Sequence, residues 1–362
     1  MRRASPLILG AGPAGSAAAI ALARGGVRPV MLERARETGD ALCGGFLSWR
    51  TLDRLRALGI EPDTLNRRRV TRVHVFAGDR EAEAPLPFPA LAVSRRTLDV
   101  VMLDRAERAG AGVERGVAAR ATDGRAVTLA DGTVLDAPAL FLGVGKHDLR
   151  GLARPKPGPG DDPTLGLRVR IRPSGSDLAR IEDAIELHLF DRGYAGLAIQ
   201  EDGTGNLCLA VRRSRLHEAG SPEMLLQAIA AEAPAFAARL DMRAPDAPID
   251  AVANVPYGWR ATEGRAGLFR LGDQAAVIPS LAGEGMGIAV ASGASAADAY
   301  LRGGAEGGAS WQRRFAARAA RPVRVAGVVR DLAEGRMAAP VLPWLAQAPG
   351  LIRLIARATR IA

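Results

Sequence analysis

The stretch Leu7-Ile8-Leu9-Gly10-Ala11-Gly12-Pro13-Ala14-Gly15 decides the fold: an apolar run enters G-x-G-x-x-G, and Glu33 closes the next apolar run, Val27 to Leu32. A short apolar run ending in glycine predicts a buried strand, and the segment from Pro13 to about Arg24 predicts a helix. Gly10 allows the tight turn, Gly12 admits backbone N–H groups to a pyrophosphate, and Gly15 lets the helix pack close against the strand. The helix starting at Pro13 and Ala14 aims its positive end and its free amides at the anion. Glu33, with Arg34 beside it, closes the second strand, where a carboxylate accepts from both ribose hydroxyls. A 2′-phosphate would be repelled there, so the expected nucleotide half is ADP-like.

Strand, glycines, helix, strand and acid in register make a far more specific signal than the glycines alone. Met1-Arg2-Arg3 ahead of an apolar stretch also suits a secretory leader. Three glycines at dinucleotide spacing and the charged strand end argue against that reading.

At 362 residues the chain predicts two structural units, and 48% hydrophobic with 24% charged residues is a globular composition. The net charge of +10 is almost all arginine, since Lys146 and Lys156 are the only lysines. The arginines are scattered and aromatics make up only 4%, so a basic groove interleaved with stacking rings, and with it nucleic-acid binding, is not expected. Two cysteines, Cys43 and Cys208, are too few for a disulfide framework. The histidines His74, His147, His188 and His217 have no metal-ligand spacing, so no metal is expected. A reducing cytoplasm fits this cysteine usage, and a membrane-spanning helix is not expected.

A helix is predicted near 49–58, short β-like runs at Val73–Phe76 and Leu91–Val93, and a helix near 97–109. Asp131-Gly132 predicts a hairpin, and Ala139 to Gly143 reads as a buried strand. Pro155 to Pro163 reads as a linker. An antiparallel set is expected at 165–172, 185–190, 195–200 and 206–212, then a helix near 222–240 and a strand entering Val255-Pro256-Tyr257. Helices near 308–335 and 350–360 end the chain.

Leu268-Phe269-Arg270-Leu271-Gly272-Asp273 is a second strand ending in Gly-Asp, and after Pro279 come Gly283-Glu284-Gly285-Met286-Gly287 and an alanine-rich helix. A second strand, turn and helix start so far along suggests a second grip on one long cofactor. Here the chain resembles the FAD-dependent oxidoreductases that unite the aromatic-ring hydroxylases with the geranylgeranyl reductases. The resemblance implies FAD, with the Asp273 carboxylate on the ribityl chain and the helix after Gly285 pointing at the flavin pyrimidine edge, where reduced flavin carries negative charge. The loop Leu42-Cys43-Gly44-Gly45-Phe46-Leu47-Ser48 is similar to one that passes the flavin in the reductase branch. Arg95 or Arg96 matches the arginine that opens the middle helix beside the cofactor.

The implied fold is α/β: a Rossmann-like FAD-binding domain with a parallel sheet (1–70, 95–160 and 260–300), an inserted antiparallel-sheet substrate domain (71–94 and 161–259), and a C-terminal helical region (301–362). Two features depart from the family. Gly143-Val144-Gly145-Lys146-His147-Asp148 replaces the Asp-Gly motif linked to NAD(P)H use, and the Trp-x-Trp-x-Ile-Pro pattern of flavin halogenases is missing. NADPH or NADH is the expected electron donor.

The leading expectation is monooxygenation through a flavin C4a-hydroperoxide, with oxygen as co-substrate and an apolar aromatic, polyketide-like or lipid-like substrate. The alternatives are reduction of a carbon–carbon double bond and a redox-neutral flavin reaction. Candidate catalytic residues are Cys43, Tyr194 in Gly193-Tyr194-Ala195-Gly196-Leu197, and His147; Asn206 and Tyr257 are lesser candidates. Asp148 is expected to cap the next turn. Leu342-Pro343-Trp344-Leu345 and Leu351 to Arg357 form an apolar, basic terminal stretch that either closes the core or rests on a membrane surface.

Overall fold

The computed structural model describes residues 5–158, 160–335 and 348–361. The glycine-bounded apolar runs form one layer of five parallel strands, ordered Leu268–Arg270, Leu140–Leu142, Leu7–Leu9, Val30–Glu33, Gly112–Arg115. The first four read as largely apolar runs because both faces are covered, while Gly112–Arg115 at the edge is mostly exposed. Ile8, Met31, Phe141 and Phe269 pack against the helices Pro13–Arg24, Arg95–Ala109 and Gly285–Gly303. Leu7, Leu9, Leu140 and Leu142 pack against a three-stranded meander carrying Val127 and Leu129.

Chain order runs outward in both directions from Leu7–Leu9, so the strand order reverses between that strand and its parallel neighbour Leu140–Leu142. Ligands bind at the carboxyl ends of strands at such a reversal. Gly10 and Gly143 sit there, on neighbouring strand ends. The helices Pro13–Arg24 and Gly285–Gly303 cross this end so closely that a Cβ on Gly293 would lie 2.2 Å from the Ala14 carbonyl oxygen.

The second layer is an eight-stranded sheet containing Phe46–Leu47, Val70–Ala77, Arg80–Ala92, Thr164–Ile171, Ala184–Phe190, Gly193–Ile199, Gly205–Arg212 and Asp250–Val255. It is antiparallel as expected, except that Ala184–Phe190 runs parallel to Val70–Ala77. Alternation divides its side chains. Val169, Leu197, Leu207 and Leu209 face the helices Pro222–Glu232 and Pro234–Leu240, leaving Arg168, Tyr194, Gly196, Asn206 and Cys208 on the other face, toward the parallel layer. The expected single helix over 222–240 is two, because Pro234 cannot continue the first. The run ending near Val93 is a thirteen-residue strand despite Pro85, Pro87 and Pro89; the ladder shifts register between Val70↔Ala90 and Arg72↔Pro85, so these prolines fall at an irregularity.

Glu201, on the hairpin after Gly193–Ile199, joins the layers. Its carboxylate accepts from the Ser94 amide (2.9 Å), the Ser94 hydroxyl (2.5 Å) and the Thr97 hydroxyl (2.5 Å) at the start of Arg95–Ala109. The helices Gly307–Ala333 and Pro349–Ala358 complete the fold. Leu342 to Leu345 lie outside the described residues. No helix among the described residues is long and apolar enough to cross a membrane.

Candidate cofactor and substrate site

Among the described residues, three helices donate a first-turn backbone N–H to a serine hydroxyl at their start, namely that of Ser48, Ser94 and Ser221. The two at the sheet reversal do not. Gly12 and Glu284 precede Pro13–Arg24 and Gly285–Gly303 without a side-chain cap, and neither first turn holds an acid. Their amides therefore suit anionic or electron-rich ligand groups.

Gly10 has φ +94°, a left-handed conformation that favours glycine, and a Cβ on it would meet the Gly143 carbonyl oxygen at 2.5 Å. A Cβ on Gly15 would lie 1.9 Å from the Gly10 oxygen. One Glu33 carboxylate oxygen accepts from the Ala11 N–H at 2.8 Å and the other from the Ala35 N–H at 2.9 Å, which fixes the acid at the strand end.

Arg95 reaches back toward this loop. Its guanidinium grips Asp99 in two hydrogen bonds (2.9 and 2.7 Å), and its Nη2 is 3.3 Å from where a Gly12 Cβ would stand. Burial opposes its charge, but Asp99 outweighs burial and raises its pKa further; Cys43 and Asp273 also act electrostatically on it. Arg96 is exposed, with its backbone N–H on Asp40, so of the two arginines Arg95 faces the site.

Asp273 lies on the turn Gly272–Gln274, half-buried, and its carboxylate accepts no hydrogen bond from the described residues. Gly272 is held by the Ser292 hydroxyl at 2.8 Å. Arg154 ties the turn to the neighbouring loop through Asp148 (2.8 Å), the Lys146 carbonyl (2.7 Å) and the Asp273 carbonyl (3.1 Å). Asp148 thus holds the polypeptide rather than offering a ligand group.

The Cys43 loop is tied to the second sheet. Asn206 Nδ2 donates to the Cys43 carbonyl at 2.9 Å and Cys208 Sγ at 3.3 Å, while Lys146 Nζ donates to the Leu42 carbonyl at 3.0 Å. Arg168 and Arg170 hold Asp40. Burial pushes the Cys208 thiol up to about 12, so it stays protonated. A Cβ on Gly44 or Gly285 would meet no atom within 4 Å, so both border open space.

Tyr194 Oη lies 2.8 Å from Ser280 Oγ, Tyr257 Oη donates to the same Ser280 Oγ at 2.8 Å, and the Leu281 N–H donates to Tyr194 Oη at 3.1 Å. Burial raises the pKa of both phenols, which therefore remain protonated. With Tyr257 donating to Ser280 and Ser280 donating to Tyr194, the Tyr194 proton is left without a partner in the cluster. Ser280 directly follows Pro279 and precedes the Gly283–Gly285 segment.

Two sequence expectations require correction. His147 was expected as a proton donor but its Nε2 lies 2.6 Å from Arg34 Nη2, on the Glu33 side and outside the tyrosine cluster. Burial, then Arg34 and Arg154, lower its pKa and hold it neutral. Glu284 was expected at the cofactor but its carboxylate is fully buried, accepting from Ser48 (3.0 Å), Arg360 (2.7 Å) and the Ile361 N–H (3.1 Å). It packs against Gly287, with Met286 buried beside it, so that only the backbone of 283–287 is left to face a ligand. The sequence reading missed Ser280, Lys146 and Arg360. Ser280's position beside Pro279 was the available signal; Lys146 and Arg360 gave none, because their partners are distant in sequence.

Residues 3–130 match the family model described as an FAD binding domain. A menaquinone reductase of Mycolicibacterium smegmatis is 35% identical over 160 residues, which is 41% of this chain and 39% of that protein. The chain thus aligns with well under half of that curated relative's length. Among solved structures, the flavin-dependent brominase Bmp2 superposes with a TM-score of 0.80 at 14% identity, covering 99% of this chain and 93% of that one. A geranylgeranyl bacteriochlorophyll reductase-like protein of Thermoplasma acidophilum superposes at 0.74 and 18% identity, covering 99% and 94%. These structural likenesses concern the fold.

The parallel sheet, its glycine turn and the sequence match define an FAD-binding domain. The match to an FAD binding domain covers residues 3–130, and beyond it the chain shares the overall fold of the flavin proteins above. The residues present suit that cofactor: two uncapped helix starts, an unpartnered half-buried Asp273, and glycines facing open space.

Proposed function

We propose that this protein is an FAD-dependent reductase that saturates a carbon–carbon double bond in an apolar, isoprenoid-like substrate, with NADH or NADPH as electron donor. The observation that carries the reading is the convergence of Tyr194 and Tyr257 on Ser280, beside the loop that leads into Gly285–Gly303. When bound and reduced, FAD supplies a hydride, so the chain must supply the proton for the other alkene carbon. Tyr194 holds that proton, and Tyr257 replaces it through Ser280. Gly196, Ala198 and Ala210 are the small neighbours of Tyr194 on this face of the sheet.

The remaining groups bind and orient. Glu33 takes the adenosine ribose, the amides after Gly12 take the pyrophosphate, and Arg95 adds a fixed positive charge beside it. Asp273 accepts from ribityl hydroxyls, and the amides after Gly285 face the pyrimidine edge. A relative named for reduction of menaquinone, which bears a polyprenyl tail, supports the substrate class.

Oxygenation, the leading expectation from the sequence, is the competing reading, and dependence on oxygen separates the two. The chemically reduced holoprotein is mixed with a polyprenyl quinone without oxygen, and the products are read by mass spectrometry. A product that is still heavier by two hydrogens after its ring has been reoxidised to the quinone, with the added mass in the polyprenyl tail, supports the proposal; no such product until oxygen is admitted, and then one heavier by an oxygen atom, overturns it.

A further inference from the structure

The helices Gly307–Ala333 and Pro349–Ala358 pack against each other, and both carry exposed apolar and basic side chains. Ala333 and Ile352 pack in one apolar cluster with Tyr194 and Leu281. Their chain neighbours Leu332 and Leu351 are exposed, at 58% and 44%, and Leu354 is 60% exposed. Along the longer helix Arg321, Arg324, Val328 and Leu332 follow at spacings that keep them on one exposed face. On the shorter helix Arg353 and Arg357 flank Leu354.

None of Arg321, Arg324, Arg353 and Arg357 pairs with a carboxylate among the described residues; Arg357 instead lies over the ring of Phe88, itself exposed. Unpaired guanidinium groups bordering exposed leucines fit a surface that is both anionic and apolar. An acidic protein or a nucleic acid would account for the arginines but not for the leucines among them.

We propose that this helix pair docks on the face of an anionic lipid bilayer. The arginines meet lipid phosphates while Leu351, Leu354 and Leu332 enter the headgroup boundary. The cluster beneath it includes Tyr194, so docking brings the bilayer to the side of the fold where the tyrosine pair sits. A lipid-like substrate would then have a short path from the membrane, although docking does not depend on which reaction the site performs.

The test is flotation of the FAD-loaded full chain with phosphatidylcholine vesicles, with and without phosphatidylglycerol. The protein is expected to float with the anionic vesicles only, and salt above physiological strength is expected to release it. L351E/L354E and, separately, R321E/R324E are expected to lower the partition coefficient roughly tenfold or more while retaining wild-type flavin content and far-ultraviolet circular dichroism. Wild-type protein that stays in solution with anionic vesicles overturns the proposal. So does L351E/L354E that floats as well as wild type, a result that would assign the arginines to a soluble polyanion. Flotation is read without turnover, so its failure is distinct from failure of the proposed reaction.

Discussion

Arg360 and Glu284 form a buried ion pair at 2.7 Å across 76 residues of chain, at the uncapped start of the helix Gly285–Gly303. The Arg360 guanidinium also donates to the carbonyls of Ala282 (2.6 Å) and Gly283 (3.3 Å), so one side chain holds the whole turn. Replacing Arg360 with alanine leaves a buried, uncompensated carboxylate. Such losses cost about 3–5 kcal/mol. The variant is expected to unfold at lower denaturant concentration and to release flavin on gel filtration. A wild-type midpoint with full flavin content would show that the pair does not organise the turn.

Tyr194→Phe removes the proton from the site while keeping the ring. Turnover is expected to fall about 10²-fold or more, as for loss of a general acid, with flavin content unchanged. Tyr257→Phe should cost less, because Tyr194 keeps its own proton and loses only resupply. Burial holds both phenols above the ordinary tyrosine pKa, so the protonated, donating form persists to higher pH than usual. The rate should therefore show no loss from tyrosine ionisation up to about pH 10, a point read from the pH–rate profile under saturating substrate.

Two glycine substitutions separate folding from binding. Gly15→Ala drives a methyl group to 1.9 Å from the Gly10 oxygen and is expected to destabilise the apoprotein by about 1–3 kcal/mol or more. Gly285→Ala meets no protein atom and suits a helix start, so the apoprotein should unfold within about 0.5 kcal/mol of wild type. Its FAD affinity should nonetheless fall, because the new methyl group occupies the ligand's space. Isothermal titration with FAD and urea denaturation of the apoprotein give the two readings.

Acid stability should depend on Glu186. Burial alone would raise its pKa, but hydrogen bonds from His188 and Arg239 more than offset this and hold it at about 2. A carboxylate depressed in the folded state stabilises fully above its ordinary pKa, and that contribution fades as pH falls through the folded value. Between about pH 4.5 and pH 2 the wild type is expected to lose on the order of 3 kcal/mol from this group. Glu186→Gln should be less stable at neutral pH and show a flatter acid limb in pH-dependent urea melts.

The parallel layer was legible in the sequence because its signals are local. Leu7 to Gly15 and Leu268 to Asp273 each carry strand, glycine and turn in consecutive residues, and the hydrophobic run at 139–143 needs no distant partner to be read. The second layer was legible as strands, but its one parallel pairing was not, since Ala184–Phe190 meets Val70–Ala77 across more than a hundred residues. The side-chain roles failed for the same reason. Glu284 sits among glycines that face open space, and nothing nearby announces that Arg360 draws its carboxylate inward. His147 follows a sheet strand at a suggestive place, yet Arg34, past the end of a strand two places away in the sheet, fixes it elsewhere. Tyr194 could be named from its strand, but its pairing with Ser280 could not, because only the folded chain brings 194, 257 and 280 to one point.

Arg360 also sets an order of events during synthesis. On the ribosome, the glycine turn and the second grip near residue 283 can both emerge while the side chain that steadies the latter is still inside the exit tunnel. Every shorter nascent chain lacks the guanidinium that buckles the Ala282 and Gly283 carbonyls, so this turn is fastened only after translation has delivered residue 360.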